Sequence, residues 1–261
     1  MTHPQRQLWL HVTSLGDSAV MLPCIALVVL WLAIPRATRR LAWQWLVWVA
    51  AVVLVVCATK LAFMGWLVSL PGLDFTGLSG HSALAMMVWP ALGGLAGRRH
   101  GPRMQAMGVF LGVAIAALVG WSRLVLHAHS PSEVVLAWLL STTASLAFLW
   151  RHRRAWCLPE RTYVAVLSML VVLPFVYGHR FPSQAMLGGV ARQMTGHRPY
   201  KRRDLRRFRQ EQAEVSVSGG GGTLWAGHGS VGEGGDDLPA IPLGRSAPMA
   251  SARLIEAMDQ A

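Results

Sequence analysis

Charged side chains are scarce in this chain of 261 residues, since only 14% of the residues are Asp, Glu, Lys or Arg. Ordinary soluble domains carry about 25%. Hydrophobic residues make up 53% of the sequence, and most of them lie in long runs with few charges. This composition disfavours a soluble globular enzyme and is typical of a protein embedded in a membrane.

Acidic residues are scarcer than basic ones. The chain has 24 Lys and Arg against 12 Asp and Glu, which gives a net charge of +12. Such a balance is typical of a nucleic-acid-binding protein or of a membrane protein with basic loops. Many of the arginines lie at the ends of apolar runs, where the positive-inside rule accounts for them. We therefore predict a lipid bilayer as partner and no nucleic acid.

Cysteine is also rare, and this limits the covalent and metal chemistry of the chain. The three cysteines, Cys24, Cys57 and Cys157, show no spacing of a disulfide framework or a metal site. The histidines and acidic residues lack a zinc-binding spacing as well, and nearby basic residues would repel a cation. The sequence predicts no disulfide, no metal and no cofactor.

Six apolar runs follow one another, and most approach the length of about 20 residues that crosses a bilayer. They are residues 18–34, 41–58, 83–96, 104–121, 134–150 and 162–177. The first run is followed by PRATRR rather than a small-residue cleavage site, so we interpret it as a retained span. One such run also suits a soluble bundle, but six in succession do not. The sequence predicts an all-α fold, a polytopic membrane helix bundle with about six transmembrane helices.

Clustered arginines in alternate loops predict the orientation of this bundle. The loops after the first, third and fifth runs should be cytoplasmic. Residues 60–82 and 122–133 then lie together on the opposite side. The predicted segments are an extracytoplasmic N-terminus at 1–17, a membrane domain at 18–178, a basic segment at 179–209 and a disordered Gly-rich tail at 210–261. The basic segment suits a lipid headgroup surface and a solvated tail equally, and the oligomeric state stays open.

Ionisable residues collect on the predicted outer face, where charges at membrane depth are energetically unfavourable and typically functional. Each has a simpler interpretation alone, such as a snorkelling lysine or an interfacial histidine. Together they indicate a phosphate site. The residues are Lys60, Asp74, His81, Arg123, His127, His129 and Glu133.

Four residues suit phosphate binding. Lys60 supplies a point charge, and Arg123 supplies a planar fork that matches phosphate oxygens. Ser79 and Gly80 precede the third apolar run, so their backbone N–H groups belong to a helix N-terminus that favours anions. Ser79 also suits a simple helix cap.

The histidines suit covalent catalysis. One histidine can attack phosphorus and form a covalent intermediate, while a second protonates the leaving oxygen and then activates water. A nearby acid can hold the tautomer of the nucleophile. His129 and Glu133 are four residues apart, which is one turn if a helix begins there, and Pro131 suits the first turn of that helix.

These motifs resemble those of a known family. SGHS at 79–82 resembles the Pro-Ser-Gly-His motif of the type 2 phosphatidic acid phosphatase superfamily. SRLVLHAHSPSE at 122–133 resembles its Ser-Arg, five residues, His, three residues, Asp motif. The resemblance covers roughly residues 60–150.

The resemblance implies a metal-independent membrane phosphatase. It implies His129 as nucleophile, His81 as general acid and Glu133 as the carboxylate that orients His129. By the same resemblance, the phosphate-binding residues are Lys60, Ser79, Gly80 and Arg123.

The sequence departs from the family pattern at three places. Leu67 and Val68 stand where the first motif, which begins at Lys60, has Arg-Pro. Leu78 replaces the proline before Ser79, and Glu133 replaces aspartate. One phosphate-binding arginine is therefore missing, and the geometry around His129 must adjust to a longer side chain.

Two functions follow from the sequence. The first is an integral membrane phosphatase that hydrolyses a lipid phosphate or diphosphate on the extracytoplasmic face, with the bacterial inner membrane as the expected location. The alternative is a non-catalytic membrane protein that binds lipid phosphates or a partner, as the missing arginine suggests. A small transporter is disfavoured because the ionisable residues collect at one face rather than along a path.

Overall fold

A computed structural model describes residues 3–70, 72–98, 100–152, 168, 171 and 181–219. Over these residues the chain is helical and contains no strand, so the all-α prediction is confirmed. The helices are α1 (His3–Ser14), α2 (Ser18–Ala33), α3 (Arg39–Trp66), α4 (Gly80–Arg98), α5 (Pro102–Val125), α6 (Pro131–Arg151), α7 (Ser183–Thr195) and α8 (Arg202–Gly219).

Helix α4 lies at the centre of the bundle and contacts α2, α3, α5 and α6. Its side chains at Ala85, Met87, Val88 and Ala91 have no exposed surface. Small residues dominate this helix because it faces other helices on most sides, and small side chains let helix backbones approach closely. The first residue of α4 is Gly80, so the central helix begins at the predicted site.

Helices α4 and α5 are joined along a seam of glycines. Gly93 and Gly97 on α4 and Gly108 and Gly112 on α5 each have the GxxxG spacing of close membrane-helix pairs. A Cβ added at Gly93 would overlap the Gly108 carbonyl, and a Cβ at Gly108 would overlap the Gly93 carbonyl. The two backbones therefore touch directly, which fixes α5 against the central helix.

Four helical stretches within the described residues are long and apolar enough to cross a bilayer. They are His3–Ala33, Arg39–Trp66, Pro102–Val125 and Pro131–Arg151. Helix α4 is not among them, since its composition is adapted to burial among helices and is less hydropathic. The predicted run 162–177 lies outside the described residues except at 168 and 171. The described part thus supports an integral membrane protein, and the count of six spans stays a prediction.

Two helices extend past the apolar runs that predicted them. Helix α3 continues to Trp66, so Lys60 lies inside a helix rather than in the outer segment where the sequence placed it. Helix α5 continues to Val125 and holds Arg123 in its last turn. A single cationic side chain lowers the mean hydropathy of a segment but leaves the backbone hydrogen bonds of the helix intact. Hydropathy therefore places the ends of these two helices too early.

Helix α3 ends in a left-handed turn. Leu67 has φ of 55°. Its N–H donates to the Phe63 carbonyl at 2.9 Å, and the N–H of Val68 donates to the Ala62 carbonyl at 3.3 Å. The bond from Leu67 to Phe63 is that of the αL cap, which normally has glycine at the left-handed position.

The basic segment after residue 179 folds back onto the bundle. Helix α7 packs on α3, and Ala191 is buried there. On the neighbouring stripe of α7, Met186, Val190 and Met194 are exposed. Helix α8 continues to Gly219, past the predicted start of the Gly-rich tail at residue 210, because residues 210–218 contain neither glycine nor proline. The rest of the tail, from residue 220, lies outside the described residues.

Replacing Gly108 with valine should destabilise the bundle, because the side chain cannot fit against the Gly93 carbonyl. Overpacking typically lowers the free energy of unfolding by about 1–3 kcal/mol. Thermal unfolding of the purified protein in detergent measures this as a lower Tm. Gly189→Val is the control, since a Cβ at Gly189 meets nothing within 4 Å. Equal Tm values for the two variants would contradict the direct contact between the backbones of α4 and α5.

Candidate active site

The two sequence motifs meet at one end of the bundle. The N–H of Ser79, just before α4, donates to the backbone carbonyl of Glu133 in α6 at 3.2 Å. The loop before Ser79 also contacts α6, because the N–H and the hydroxyl of Thr76 both donate to Glu133 Oε1 at 2.6 Å. The predicted contact between residues 60–82 and 122–133 is therefore present, while the membrane side on which they lie stays a prediction.

The first turn of α6 positions Glu133. Ser130 is the N-cap and forms a capping box with Glu133, and Pro131 occupies the first turn as predicted. The N–H of Ser130 donates to Glu133 Oε2 at 3.1 Å. A single local motif therefore starts the helix and fixes the carboxylate, whose side chain is fully buried.

Glu133 and His129 form a close pair. His129 Nδ1 lies 2.6 Å from Glu133 Oε2, and the His129 side chain is only 7% exposed. An ionised carboxylate accepts hydrogen bonds only, so Nδ1 carries the proton and Nε2 retains its lone pair. This is the tautomer that a nucleophilic histidine attacking through Nε2 requires. The extra methylene of glutamate is accommodated.

Burial controls the protonation of His129. It lowers the pKa of His129 to about 4, although the hydrogen bond to Glu133 acts in the opposite direction. Lys60 and Arg123 add to the lowering because they repel a second positive charge. His129 is therefore neutral, and able to act as a nucleophile, at neutral and mildly acidic pH.

His81 has a partner that the sequence did not reveal. Its Nε2 lies 3.4 Å from Asp17 Oδ2. Asp17 also caps α2, because its Oδ1 accepts from the Ala19 N–H at 2.9 Å. Asp17 looks like an ordinary helix cap in the sequence, and only the tertiary fold brings it to His81.

The cations lie in two neighbouring cavities. Lys60 is buried on α3 and shares a cavity of about 210 Å³ with His129. Arg123 shares a larger cavity of about 550 Å³ with His81 and Asp17, and its Nη1 donates to Thr13 Oγ1 at 3.0 Å. Gln184 of α7 lines both cavities. The structure thus places His81 and Arg123 in one cavity and His129 and Lys60 in the other, and residues of the C-terminal segment line both.

The start of α4 differs in detail from the predicted anion cradle. Ser79 is fully buried, its N–H is bonded to the Glu133 carbonyl, and its Oγ accepts from Ser82 Oγ at 2.9 Å. The Ser79 amide is thereby directed at the protein. Gly80 begins the helix, and the first N–H groups of a helix have no intrahelical acceptor. Any backbone contact from this turn to a phosphate would therefore come from the N–H groups of Gly80 and the residue after it.

Arg202 is a second residue that sequence reasoning missed. Its Nη2 lies 2.8 Å from Glu133 Oε1 and 2.7 Å from Oε2, and its Nη1 lies 2.9 Å from Asp74 Oδ2. Asp74 therefore bonds to this arginine. The excess of arginines in the basic segment was the available signal, because it conflicts with the positive-inside rule on the predicted outer face.

The other predicted residues have smaller parts in the site. His127 is exposed, with φ of 52°, and lines the rim of the larger cavity. Among the residues that the structure describes, no group of three His, Cys, Asp or Glu side chains could hold a metal ion.

Comparison with known proteins identifies the family. The signature of the PAP2 superfamily matches residues 68–157, which include both motifs. An "Uncharacterized 22.5 kDa protein in cps region" of Klebsiella pneumoniae is 38% identical over 203 residues, covering 76% of this chain and 97% of the relative. The chain belongs to the PAP2 superfamily. No solved structure matches it significantly.

Membership of the PAP2 superfamily supports a membrane phosphatase of the lipid phosphate type. His81, Arg123, His129 and Glu133 all lie inside the matched interval. Lys60 and both residues missed by sequence reasoning lie outside it. Both histidines of this PAP2 protein thus lie in the interval that it shares with the family. Some of the side chains that contact the site, such as Asp17 and Arg202, lie outside that interval.

His129 should titrate near pH 4, below the ordinary histidine value of 6.5, because burial disfavours its charged form. Nuclear magnetic resonance of the nitrogen-15-labelled histidines in detergent measures this, with His129→Gln to assign the resonance. Glu133→Gln should lower the midpoint further, because the carboxylate favours the charged ring. A wild-type midpoint at or above 6.5 would contradict this assignment.

Proposed function

We propose that this chain is an integral membrane phosphatase that hydrolyses a lipid phosphate or diphosphate monoester through a phosphohistidine intermediate. The observation that carries the proposal is the buried pair of His129 and Glu133 at 2.6 Å, beside a cavity that Lys60 also lines. A neutral histidine held by a carboxylate and facing a cationic cavity is suited to attack an anionic phosphate.

In the first step, Nε2 of His129 attacks phosphorus, and the bond from phosphorus to the leaving oxygen breaks. His81 donates a proton to that oxygen, which departs as the lipid alcohol or lipid phosphate. The carboxylate of Glu133 stabilises the positive charge on the His129 ring. Burial lowers the pKa of His81, and Asp17 acts in the opposite direction by favouring the protonated form of His81 before transfer.

In the second step, water attacks the phosphorus of the phosphohistidine. His81, now neutral, accepts a proton from the water, and the bond between nitrogen and phosphorus breaks with its electron pair returning to Nε2. Inorganic phosphate leaves, and both histidines regain their starting states. The two cavities must join at the bound phosphate for both histidines to act on it, and Gln184 lines both of them.

Positive groups stabilise the charge that builds on the phosphate oxygens in both steps. We assign this role to Lys60, Arg123 and the amide of Gly80. The hydroxyl of Ser79 supports the turn through its bond with Ser82. Removing one positioned donor of this kind typically lowers kcat by about 10²–10³-fold.

The lipid substrate would reach the site from the bilayer. Exposed apolar side chains such as Leu54 on α3 and Phe110 on α5 give the bundle a lipid-facing surface. The exposed stripe of α7, with basic residues around it, suits the headgroup layer next to the site. Following the arginine distribution of the loops, we assign the site to the periplasmic face of a bacterial inner membrane.

The alternative, a non-catalytic protein that binds lipid phosphates, rests on the absence of Arg-Pro at Leu67 and Val68. The second motive for it, glutamate in place of aspartate, carries less weight because Glu133 makes a short bond to His129. We therefore favour the enzyme.

The proposal predicts phosphate release by the purified protein in detergent, tested on phosphatidic acid, phosphatidylglycerophosphate and an isoprenoid diphosphate. His129→Ala should abolish release because it removes the attacking nitrogen. His127→Asn is the matched control, since asparagine tolerates the left-handed backbone at this neighbouring histidine. Folded wild-type protein that releases phosphate from none of these lipids would favour the non-catalytic alternative.

Asp17→Asn should lower kcat by at least about 10-fold, because general acid catalysis contributes about 10²–10⁴-fold and depends on the protonated form of His81. Asparagine is as good a helix cap as aspartate, so the substitution keeps the start of α2. Steady-state kinetics measure kcat, and an unchanged Tm shows that the cap of α2 is intact. A lower kcat at the same Tm therefore reports the loss of the partner of His81. A wild-type kcat in this variant would show that Asp17 does not support the general acid role of His81.

A further inference from the structure

Glu133 is bonded to more groups than the histidine it orients. Its Oε2 meets His129 Nδ1 and the Ser130 N–H, and its Oε1 meets the N–H and hydroxyl of Thr76. Arg202 Nη2 then approaches both oxygens, at 2.8 and 2.7 Å. The carboxylate is thus held from three separate segments of the chain.

Arg202 is the charged partner that this buried carboxylate needs. Glu133 has no exposed side-chain surface, and a buried carboxylate is destabilising unless it is paired and hydrogen-bonded. His129 is neutral in the resting site because of its lowered pKa, so it does not supply the compensating charge. The guanidinium of Arg202 does, from a side chain that is 28% exposed.

Contacts other than Glu133 hold Arg202 in place. The N–H of Tyr200 donates to the Met64 carbonyl of α3 at 2.9 Å. Further along α8, Arg209 donates to the carbonyls of Leu70 and Leu73. The start of α8 is therefore attached to the end of α3 and to the loop that follows it, so Arg202 is presented to the carboxylate.

The guanidinium is directed at carboxylates rather than at an open phosphate site. Nη1 bonds Asp74, and Nη2 bonds Glu133 and lies 3.3 Å from Thr76 Oγ1. A bridge between two carboxylates uses the planar fork of arginine, which lysine lacks. Arg202 also lies outside the interval that matches the PAP2 superfamily.

We infer that Arg202 is a positioning residue: it holds Glu133 ionised and oriented, so that Glu133 keeps Nε2 of His129 available for attack. This inference rests on the proposed function for its kinetic consequences, but its electrostatic consequence does not require turnover. The basic C-terminal segment is by this inference a part of the active site.

The electrostatic consequence is a change in the titration of His129. The charged and titratable groups around His129 are Glu133 on α6, Lys60 on α3, Arg123 on α5, and Lys201 and Arg202 at the start of α8. Removing Arg202 takes away the cation that is bonded directly to Glu133, and only more distant cations such as Lys60 then offset the carboxylate charge. The carboxylate then attracts a proton on His129 more strongly, so the titration midpoint must rise.

Three variants test the inference: Arg202→Gln removes the charge, Arg202→Lys keeps the charge without the fork, and Arg203→Gln is the control on an exposed neighbour in the same helix. In Arg202→Gln we expect kcat to fall about 100-fold, as misplacement of a reacting group does, with KM within about twofold of wild type. The kcat of Arg202→Lys should lie between those of Arg202→Gln and the wild type, and the kcat of Arg203→Gln should match the wild type.

The second measurement is the His129 midpoint by nitrogen-15 resonance in each full-length variant in detergent. We expect it to rise in Arg202→Gln, to stay near the wild-type value in Arg202→Lys, and to be unchanged in Arg203→Gln. A purely structural arginine would change the Tm without this order of midpoints.

The outcomes separate the two proposals. An unchanged midpoint in Arg202→Gln overturns the inference, whether or not the protein hydrolyses lipid phosphates. A raised KM with wild-type kcat overturns it in favour of direct phosphate binding. If the wild type releases no phosphate, the proposed function fails while the midpoints still decide the role of Arg202.

Discussion

The buried carboxylate of Glu133 is the group on which the arrangement of this end of the bundle depends. It starts helix α6 through the capping box, fixes His129, receives the loop before α4 through Thr76 and anchors the C-terminal segment through Arg202. These donors stabilise the carboxylate, because a charge removed from water is unfavourable unless it is paired and hydrogen-bonded. The start of α6, the position of the loop before α4 and the protonation of His129 are consequently coupled through the side chain of Glu133.

The sequence was informative where the interacting residues are close along the chain. His129 and Glu133 are one helical turn apart, and Ser130 and Pro131 between them have strong preferences for a helix start, so this pair could be predicted. Asp17 and Arg202 could not, because each meets its partner only after helices distant in sequence have packed. The family pattern did not reveal them either, since both lie outside the matched interval.

For helices α2 to α6, hydropathy predicted the existence of each helix better than its ends or its surroundings. It measures how well a segment suits lipid, whereas α4 is surrounded by other helices and is rich in small residues. It also ended the second run before Lys60, although α3 continues through that residue. The basic segment illustrates the same limit for charge: several of its arginines are bonded to carboxylates and carbonyls of the fold. An arginine that is neutralised in this way is weaker support for a cytoplasmic location than one in an open loop.

The cap of α3 bears on the missing Arg-Pro. Val68 donates its N–H to the Ala62 carbonyl, and Leu67 is left-handed. Proline at position 68 would have no N–H to donate and would favour an extended backbone, rather than the left-handed one, at the residue before it. Restoring the family dipeptide would therefore require the whole turn to be rebuilt, together with the loop that carries Asp74 and Thr76. The turn that ends α3 is in this sense incompatible with the family dipeptide at positions 67 and 68.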